Sequence, residues 1–211
     1  MNKIKLTLLF LCAFIMQPCF SEEDVSPNWT LELYGSIFET EDDDWDIYYG
    51  GNRRPEVGGS MAYRFLSVLD IGVSWNYSRD SGSARLLSTG QKSGSSTYHS
   101  YPLDIFAVLH LRFSERQWIV PYGGGGYTRF GYKQTTEGQE NIRGSIDGYF
   151  WRAGIQFLLD PLDPSAAKTM FTNYGAINSY LIFDFKKSTA EVNDTDLGGI
   201  HYRTGILIEF Q

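Results

Sequence analysis

The segment from Gly199 to Phe210 has two faces so different in chemistry that few folds can accommodate both. Alternate residues of an extended strand share a face, so Ile200, Tyr202, Thr204, Ile206, Ile208 and Phe210 form one side and Gly199, His201, Arg203, Gly205, Leu207 and Glu209 the other. A water-soluble barrel would have to bury two opposite charges and an imidazole while wetting Phe210. The reverse arrangement, with lipid outside and polar groups within, is what a transmembrane β-barrel requires.

The same stretch resembles the C-terminal signal by which outer-membrane barrels are recognised by their assembly machinery. Arg203 supplies the polar position, Gly205 the glycine, Ile208 a hydrophobic position and Phe210 the terminal aromatic. It departs from the pattern in that Gln211 follows the aromatic.

The N-terminus reads as an export signal. Lys3 and Lys5 precede the apolar run Leu6 to Met16, which is too short to span a bilayer, and Cys19-Phe20-Ser21 offers a cleavage site before Glu22. The expected division is a signal peptide over 1–21 and a barrel domain over 22–211. Both cysteines leave with the signal, so the mature chain holds no disulfide or thiolate metal site. Loss of Lys3 and Lys5 leaves 16 basic against 25 acidic residues, a net charge of −9, which argues against nucleic acid as a partner. The negative mean hydropathy speaks against helical membrane spans but not against a barrel, whose apolar residues are diluted by alternation.

Period-two segments bounded by turn residues predict eight strands, near 29–38, 55–65, 68–78, 98–113, 118–132, 145–159, 178–188 and 198–210. The expected fold is all-β, an eight-stranded antiparallel transmembrane barrel with up-and-down meander order. One parity of the strands is uncharged throughout, including Trp118, Val120, Tyr122, Phe130 and Tyr132 on the fifth. The other collects Glu32, Glu56, Asp70, Asp104, Asp184 and Glu209 with Arg64, Arg112, Arg129, Arg152, Lys186 and Arg203. An interior charge network is therefore expected from Asp184, Arg152, Arg203, Arg64, Asp70, Glu32 and Glu209, with Asp184 between Arg152 and Arg203. Short joins at 66–67 and 114–117 alternate with long ones at 39–54, 79–97, 133–144 and 189–197, which places both termini in the periplasm of a bacterial outer membrane. The 160–177 join breaks the rule. Asp163 before Pro164 reads there as an N-cap, predicting a short helix over 165–171.

Several motifs are weaker than they look. Pro121-Tyr-Gly-Gly-Gly-Gly-Tyr127 lacks the Gly-Lys-Ser/Thr of a phosphate loop and lies within a strand, where glycines permit close approach and sharp curvature. The acidic run Glu39 to Asp46 fails as an EF-hand loop, because Ile47 replaces the turn glycine and Arg53 the bidentate glutamate. Residues 78–97, rich in serine and glycine, read as a mobile, solvated surface loop, with contact of Arg79, Arg85 and Lys92 to lipopolysaccharide phosphates as the alternative. His99 and Ser100 are adjacent and so point to opposite faces, which is wrong for a base and its nucleophile.

With its Pro-Tyr-x-Gly-x-Gly stretch and its C-terminal signal, the chain resembles the small eight-stranded outer-membrane family, OmpW-like and OmpX-like in style. That resemblance implies a non-enzymatic integral outer-membrane protein without cofactor or metal, whose partners are membrane lipids, lipopolysaccharide and the assembly machinery. An eight-stranded barrel is filled by its own side chains, so a charge-plugged barrel of structural or surface-interaction type is expected. A conduit for small hydrophobic molecules stays open as an alternative, because Phe38, Phe106, Val108 and Phe150 point inward. A lipid-modifying enzyme is the third reading and would need a polar triad on the lipid face. The sequence does not identify a loop partner.

Overall fold

The computed structural model describes residues 28–41, 45, 49, 51–85, 92–114, 117–192 and 195–211. The proposed signal peptide, its cleavage site and residues 42–44 and 46 of the acidic run lie outside the described residues. Eight long strands close into one antiparallel barrel: β1 (Trp29–Thr40), β2 (Arg53–Phe65), β3 (Leu69–Arg85), β4 (Lys92–His110), β5 (Ile119–Thr136), β6 (Ile142–Leu158), β7 (Ala176–Thr189) and β10 (Gly199–Phe210). Each pairs with its sequence neighbours, and β1 closes the ring on β10 from Trp29↔Phe210 to Thr40↔Gly199. The two-residue strands β8 (Glu191–Val192) and β9 (Thr195–Asp196) form a separate small hairpin.

Connections differ sharply between the two ends. At one, the turn end, Leu66 and Ser67 both take positive φ (51° and 60°) in the three-residue join 66–68 between β2 and β3. Helix α1 (Pro164–Tyr174) caps the same end. The Asp163 carboxylate accepts from the Ala166 N–H at 3.0 Å, and Gly175 at φ 70° ends the helix with its N–H on the Phe171 carbonyl. The helix runs three residues beyond the sequence expectation, because nothing before Gly175 stops it. The opposite end, the loop end, carries the joins between β1 and β2, β3 and β4, β5 and β6, and β7 and β10.

Two features depart from the sequence reading. First, the 79–97 segment is largely strand: β3 reaches Arg85, β4 starts at Lys92, and the ladder runs on through Ser81↔Thr97 and Ser83↔Ser95. Beyond the bilayer neither face need be apolar, so a Ser/Gly-rich hairpin can extend the wall on backbone hydrogen bonds alone. Second, β5 has the opposite parity. Val120, Tyr122 and Phe130 are buried inside, whereas Ile119, Tyr127 and Arg129 face out. Trp118-Ile119-Val120 is apolar on both parities, and four consecutive glycines carry no side chain to mark a face. The backbone approach is close there: a methyl on Gly124 or Gly126 would collide with the carbonyls of Ala107 and Ile105 on β4.

The outer wall is an apolar band, with Leu33, Val57, Met61, Leu103 and Ile105 each more than half exposed. Aromatic pairs border it at both ends, Trp29–Tyr63 (5.2 Å) and Tyr63–Phe65 (4.7 Å) toward the turns, Tyr77–Tyr101 (5.5 Å), Tyr127–Tyr149 (5.9 Å) and Phe185–Tyr202 (5.7 Å) toward the loops. Such girdles mark the two interfaces of a lipid bilayer.

Candidate functional site: the lumen

The lumen is built from inward residues of every barrel strand, and its charges lie in layers. Nearest the turns, Arg64 makes a bidentate pair with Asp70 (2.6 and 2.7 Å) and also donates to Glu209. Arg112 reaches Glu209 and the Tyr180 hydroxyl (3.2 Å), Asn178 donates to Glu209 (2.7 Å), and His110 Nε2 lies 2.9 Å from Asp70. One layer up, Arg203 grips Asp184 with two bonds of 2.5 and 2.6 Å, and the Tyr122 hydroxyl donates to the same carboxylate at 2.7 Å. Arg152 turns to Glu32 (3.4 and 3.5 Å), which also accepts from Ser60 (2.7 Å). Asp184 is thus held by one guanidinium and a phenol, with Arg152 bonded to Glu32. Strand stagger, which sequence does not reveal, sets those heights.

The next layer joins Lys186 to Asp104 at 2.6 Å, with Ser74 at 2.7 Å on the same oxygen. Beside it Glu56 accepts from Ser36 (2.9 Å) and meets His201 Nδ1 (3.0 Å), whose Nε2 lies 3.2 Å from the Ser188 hydroxyl. Ser188, His201 and Glu56 are ordered like a nucleophile, base and orienting acid. Ser188 is 1% exposed and the Phe38 ring packs 4.4 Å from the imidazole, so a lipid acyl group has no approach to the hydroxyl. The adjacent pair His99 and Ser100 diverges: His99 bonds the Tyr77 hydroxyl outside and Ser100 bonds Ser78 inside.

The loop-end layer centres on a residue that strand prediction missed. Arg54 is 3% exposed and its guanidinium carbon sits 4.3 Å from the Phe38 ring centre, 4.5 Å from Trp45 and 5.3 Å from Tyr98. Trp45 is fixed by its indole N–H on Asp80 (3.0 Å). Arg54 lies two residues before Glu56, on the same parity, which was the available signal. The sequence reading has an inward place for Arg129 on β5 and none for Arg54 on β2. Arg129 is instead on the outer face, 3.8 Å from Asp147, because the parity of β5 is reversed. Among the described residues, six buried acids (Glu32, Glu56, Asp70, Asp104, Asp184, Glu209) share the lumen with Arg54, Arg64, Arg112, Arg152, Lys186 and Arg203.

Apolar residues fill the gaps as separate groups. Phe106, Val108 and Phe150 pack with Ala62 and Tyr122, whereas Phe38 packs with Phe130, Ile146 and Ala190. Among the described residues, no three histidine, cysteine or carboxylate side chains gather as metal ligands.

Comparison with known proteins finds no matching family model and no matching curated sequence. Solved structures do match. OprG from Pseudomonas aeruginosa is 10% identical over 88% of this chain and 97% of its own, with a TM-score of 0.59. Neisserial surface protein A is 12% identical over 86% and 97%, at 0.56, and the N-terminal barrel domain of Pseudomonas aeruginosa OprF is 12% identical over 88% and 98%, at 0.50. These identities carry the fold alone. The closed meander, the apolar outer band between aromatic girdles and these structural matches together make the chain an eight-stranded transmembrane β-barrel with the fold of the small outer-membrane proteins.

Proposed function

We propose that the chain is an integral barrel of the bacterial outer membrane, of structural or surface-interaction type, whose lumen is a charge-paired plug and whose loop end is its contact surface. The observation that carries the reading is the stack of buried ion pairs in successive layers of the lumen, where an aqueous pore would need open volume and solvated charge. The short turns, α1 and both termini then lie in the periplasm, residues 1–21 are the removed export signal, and Arg203, Gly205, Ile208 and Phe210 form the assembly signal. Membrane lipid, lipopolysaccharide and the assembly machinery are the corresponding partners. Neither a cofactor nor a reaction enters this reading, since the Ser188–His201–Glu56 set faces the lumen and not the lipid.

A conduit for small hydrophobic molecules is the second reading, favoured by the inward Phe38, Phe106, Val108 and Phe150. Their packing into two groups amid charged residues supports the plug instead. Reconstitution into planar bilayers and into vesicles loaded with a hydrophobic-molecule reporter separates the two. The plug predicts no steady conductance and no transport above protein-free membranes; sustained uptake of an alkane-like probe would establish the conduit.

A further inference from the structure

One cation of the lumen is left unsatisfied by the layers around it. Among the described residues the others each meet a carboxylate: Arg64 with Asp70, Arg112 with Glu209, Arg152 with Glu32, Lys186 with Asp104 and Arg203 with Asp184. Arg54, 3% exposed, has no such partner. Its Nε and Nη1, one on each edge of the guanidinium fork, are buried without an acceptor. The two acids whose field reaches it, Glu56 and Asp80, are already engaged. Glu56 holds Ser36 (2.9 Å) and His201 (3.0 Å), and Asp80 holds the Trp45 indole (3.0 Å) and the Ser81 N–H (2.9 Å).

The rings of Phe38, Trp45 and Tyr98, with centres 4.3, 4.5 and 5.3 Å from the guanidinium carbon, stabilise its charge. A ring face above the guanidinium plane does nothing for N–H groups that point along that plane. Buried donors without an acceptor are costly and rare in folded proteins, and the Tyr98 hydroxyl, buried and unpartnered in the same layer, is a second one. What the layer lacks is an acceptor lying in the guanidinium plane. Two coplanar oxygens on one carbon fit the fork, as where Arg203 grips Asp184. Charge narrows the class: a single unpaired cation neutralises a monoanion but not a phosphate, whose second ionisation is largely complete at neutral pH. The walls narrow it again. Trp45 stacks on Tyr49 (4.5 Å, 25°) and Tyr98 on Tyr132 (6.1 Å, 12°), so the body attached to the carboxylate meets flat aromatic surfaces. The layer is the outermost of the lumen, and the side chain of the preceding residue, Arg53, is 67% exposed, so the approach is from the loop end. We propose that Arg54 anchors a binding site for a small aromatic monocarboxylate at the loop-end mouth of the lumen. The site stands whether or not the lumen beneath it is closed.

The test uses the mature barrel folded into phosphatidylcholine vesicles, titrated with benzoate, benzylamine or inorganic phosphate at constant ionic strength. Trp29, Trp75, Trp118 and Trp151 are exposed on the outer wall whereas Trp45 is buried against Arg54, so a water-borne ligand at the mouth is read from Trp45 emission, and calorimetry checks the same curve. Benzoate is expected to bind saturably. Arg54→Gln should abolish saturation, and Arg54→Lys, which keeps the charge but loses the planar fork, should weaken benzoate about tenfold. Arg53→Gln, removing the exposed neighbour that pairs with Glu39, should stay within about twofold of the parent. Should Arg54→Gln fail to fold, the comparison of Arg54→Lys with the parent decides. A folded parent that does not saturate with benzoate overturns the proposal, as does undiminished affinity in the Arg54 variants. Benzylamine bound as tightly as benzoate would mean that the aromatic walls recognise a ring and not an anion, and phosphate bound as tightly would mean a site for any anion; either result overturns the monocarboxylate.

Discussion

Removing the Asp184 carboxylate should be among the most damaging single changes inside the barrel, and the geometry says how it can be undone. Asp184→Ala leaves Arg203 without its two charge-assisted bonds of 2.5 and 2.6 Å and the Tyr122 hydroxyl without its acceptor at 2.7 Å. Stranding a buried charge costs roughly 3 to 5 kcal/mol and an orphaned hydroxyl about 1 more, so a loss of about 4 to 6 kcal/mol is expected. At a urea dependence of about 2 kcal/mol per molar, the unfolding midpoint in vesicles falls by about 2 to 3 M. Replacing the whole unit, Asp184→Leu/Arg203→Leu/Tyr122→Phe, removes the stranded groups along with the pair and should restore most of the loss. Adding Arg152→Leu to Asp184→Ala should restore nothing, since Arg152 bonds Glu32 and its loss would strand a second carboxylate. Reversible unfolding followed by tryptophan fluorescence measures all of these. A cost below about 1 kcal/mol for Asp184→Ala, or rescue by Arg152→Leu in place of Arg203→Leu, would refute the assignment of the pair.

Three further outcomes are expected. Ile105→Arg and Ile155→Arg, placing charge on the lipid-facing wall, should each cost about 2 to 4 kcal/mol in vesicle refolding, while Ser81→Arg on the hairpin beyond the girdle should cost little; equal costs would remove the assigned lipid face. Gly126→Ala, whose methyl meets the Ile105 carbonyl and comes within 2.9 Å of the Phe106 Cα, should destabilise by about 1 to 3 kcal/mol. Gly123→Ala, with its nearest neighbour at 3.7 Å, should be tolerated in the same assay. Phe210→Ala should lower the amount of barrel inserted in cells while leaving refolding of the purified chain nearly unchanged, and deletion of Gln211 should be neutral or helpful; normal cellular levels for Phe210→Ala would dispose of the assembly signal.

Strand number, closure order and the inward set on seven strands were legible because a barrel between lipid and a polar lumen enforces alternation residue by residue. The fifth strand was not legible, since Gly123 to Gly126 show no preference for either face and Trp118-Ile119-Val120 offers an apolar residue to both. Ends were misjudged at the loop side for a related reason: past the girdle, Ser81, Gly82 and Ser83 pair as well as any valine but leave no hydrophobic signature. The partners of the lumen charges were only partly readable. Arg64 and Asp70 sit across the three-residue join 66–68 and share a parity, so their pairing follows from sequence once the turn is placed, whereas Glu32 with Arg152 depends on the stagger of strands that are distant in the chain. Arg54 escaped because it stands beyond the predicted start of β2, and its aromatic cover comes partly from Trp45, an isolated ring within an acidic run.

The separation along the chain of the paired charges also dictates the order in which they are able to form. Arg64 and Asp70 are six residues apart, and Asp184 and Arg203 nineteen, so both pairs assemble within single hairpins. Arg64 to Glu209 spans 145 residues, Arg152 to Glu32 spans 120 and Lys186 to Asp104 spans 82. These last are struts across the lumen, joining strands that are not neighbours in the ring, and the first two span the β1–β10 seam and so do not exist until it closes. Contacts made only after the rate-limiting step of folding leave the speed of folding nearly untouched and act almost wholly on the reverse reaction. The lumen is therefore a latch: once the ring is shut, each strut raises the barrier to reopening, and the lifetime of the inserted barrel is set by how slowly it unzips more than by how readily it closed.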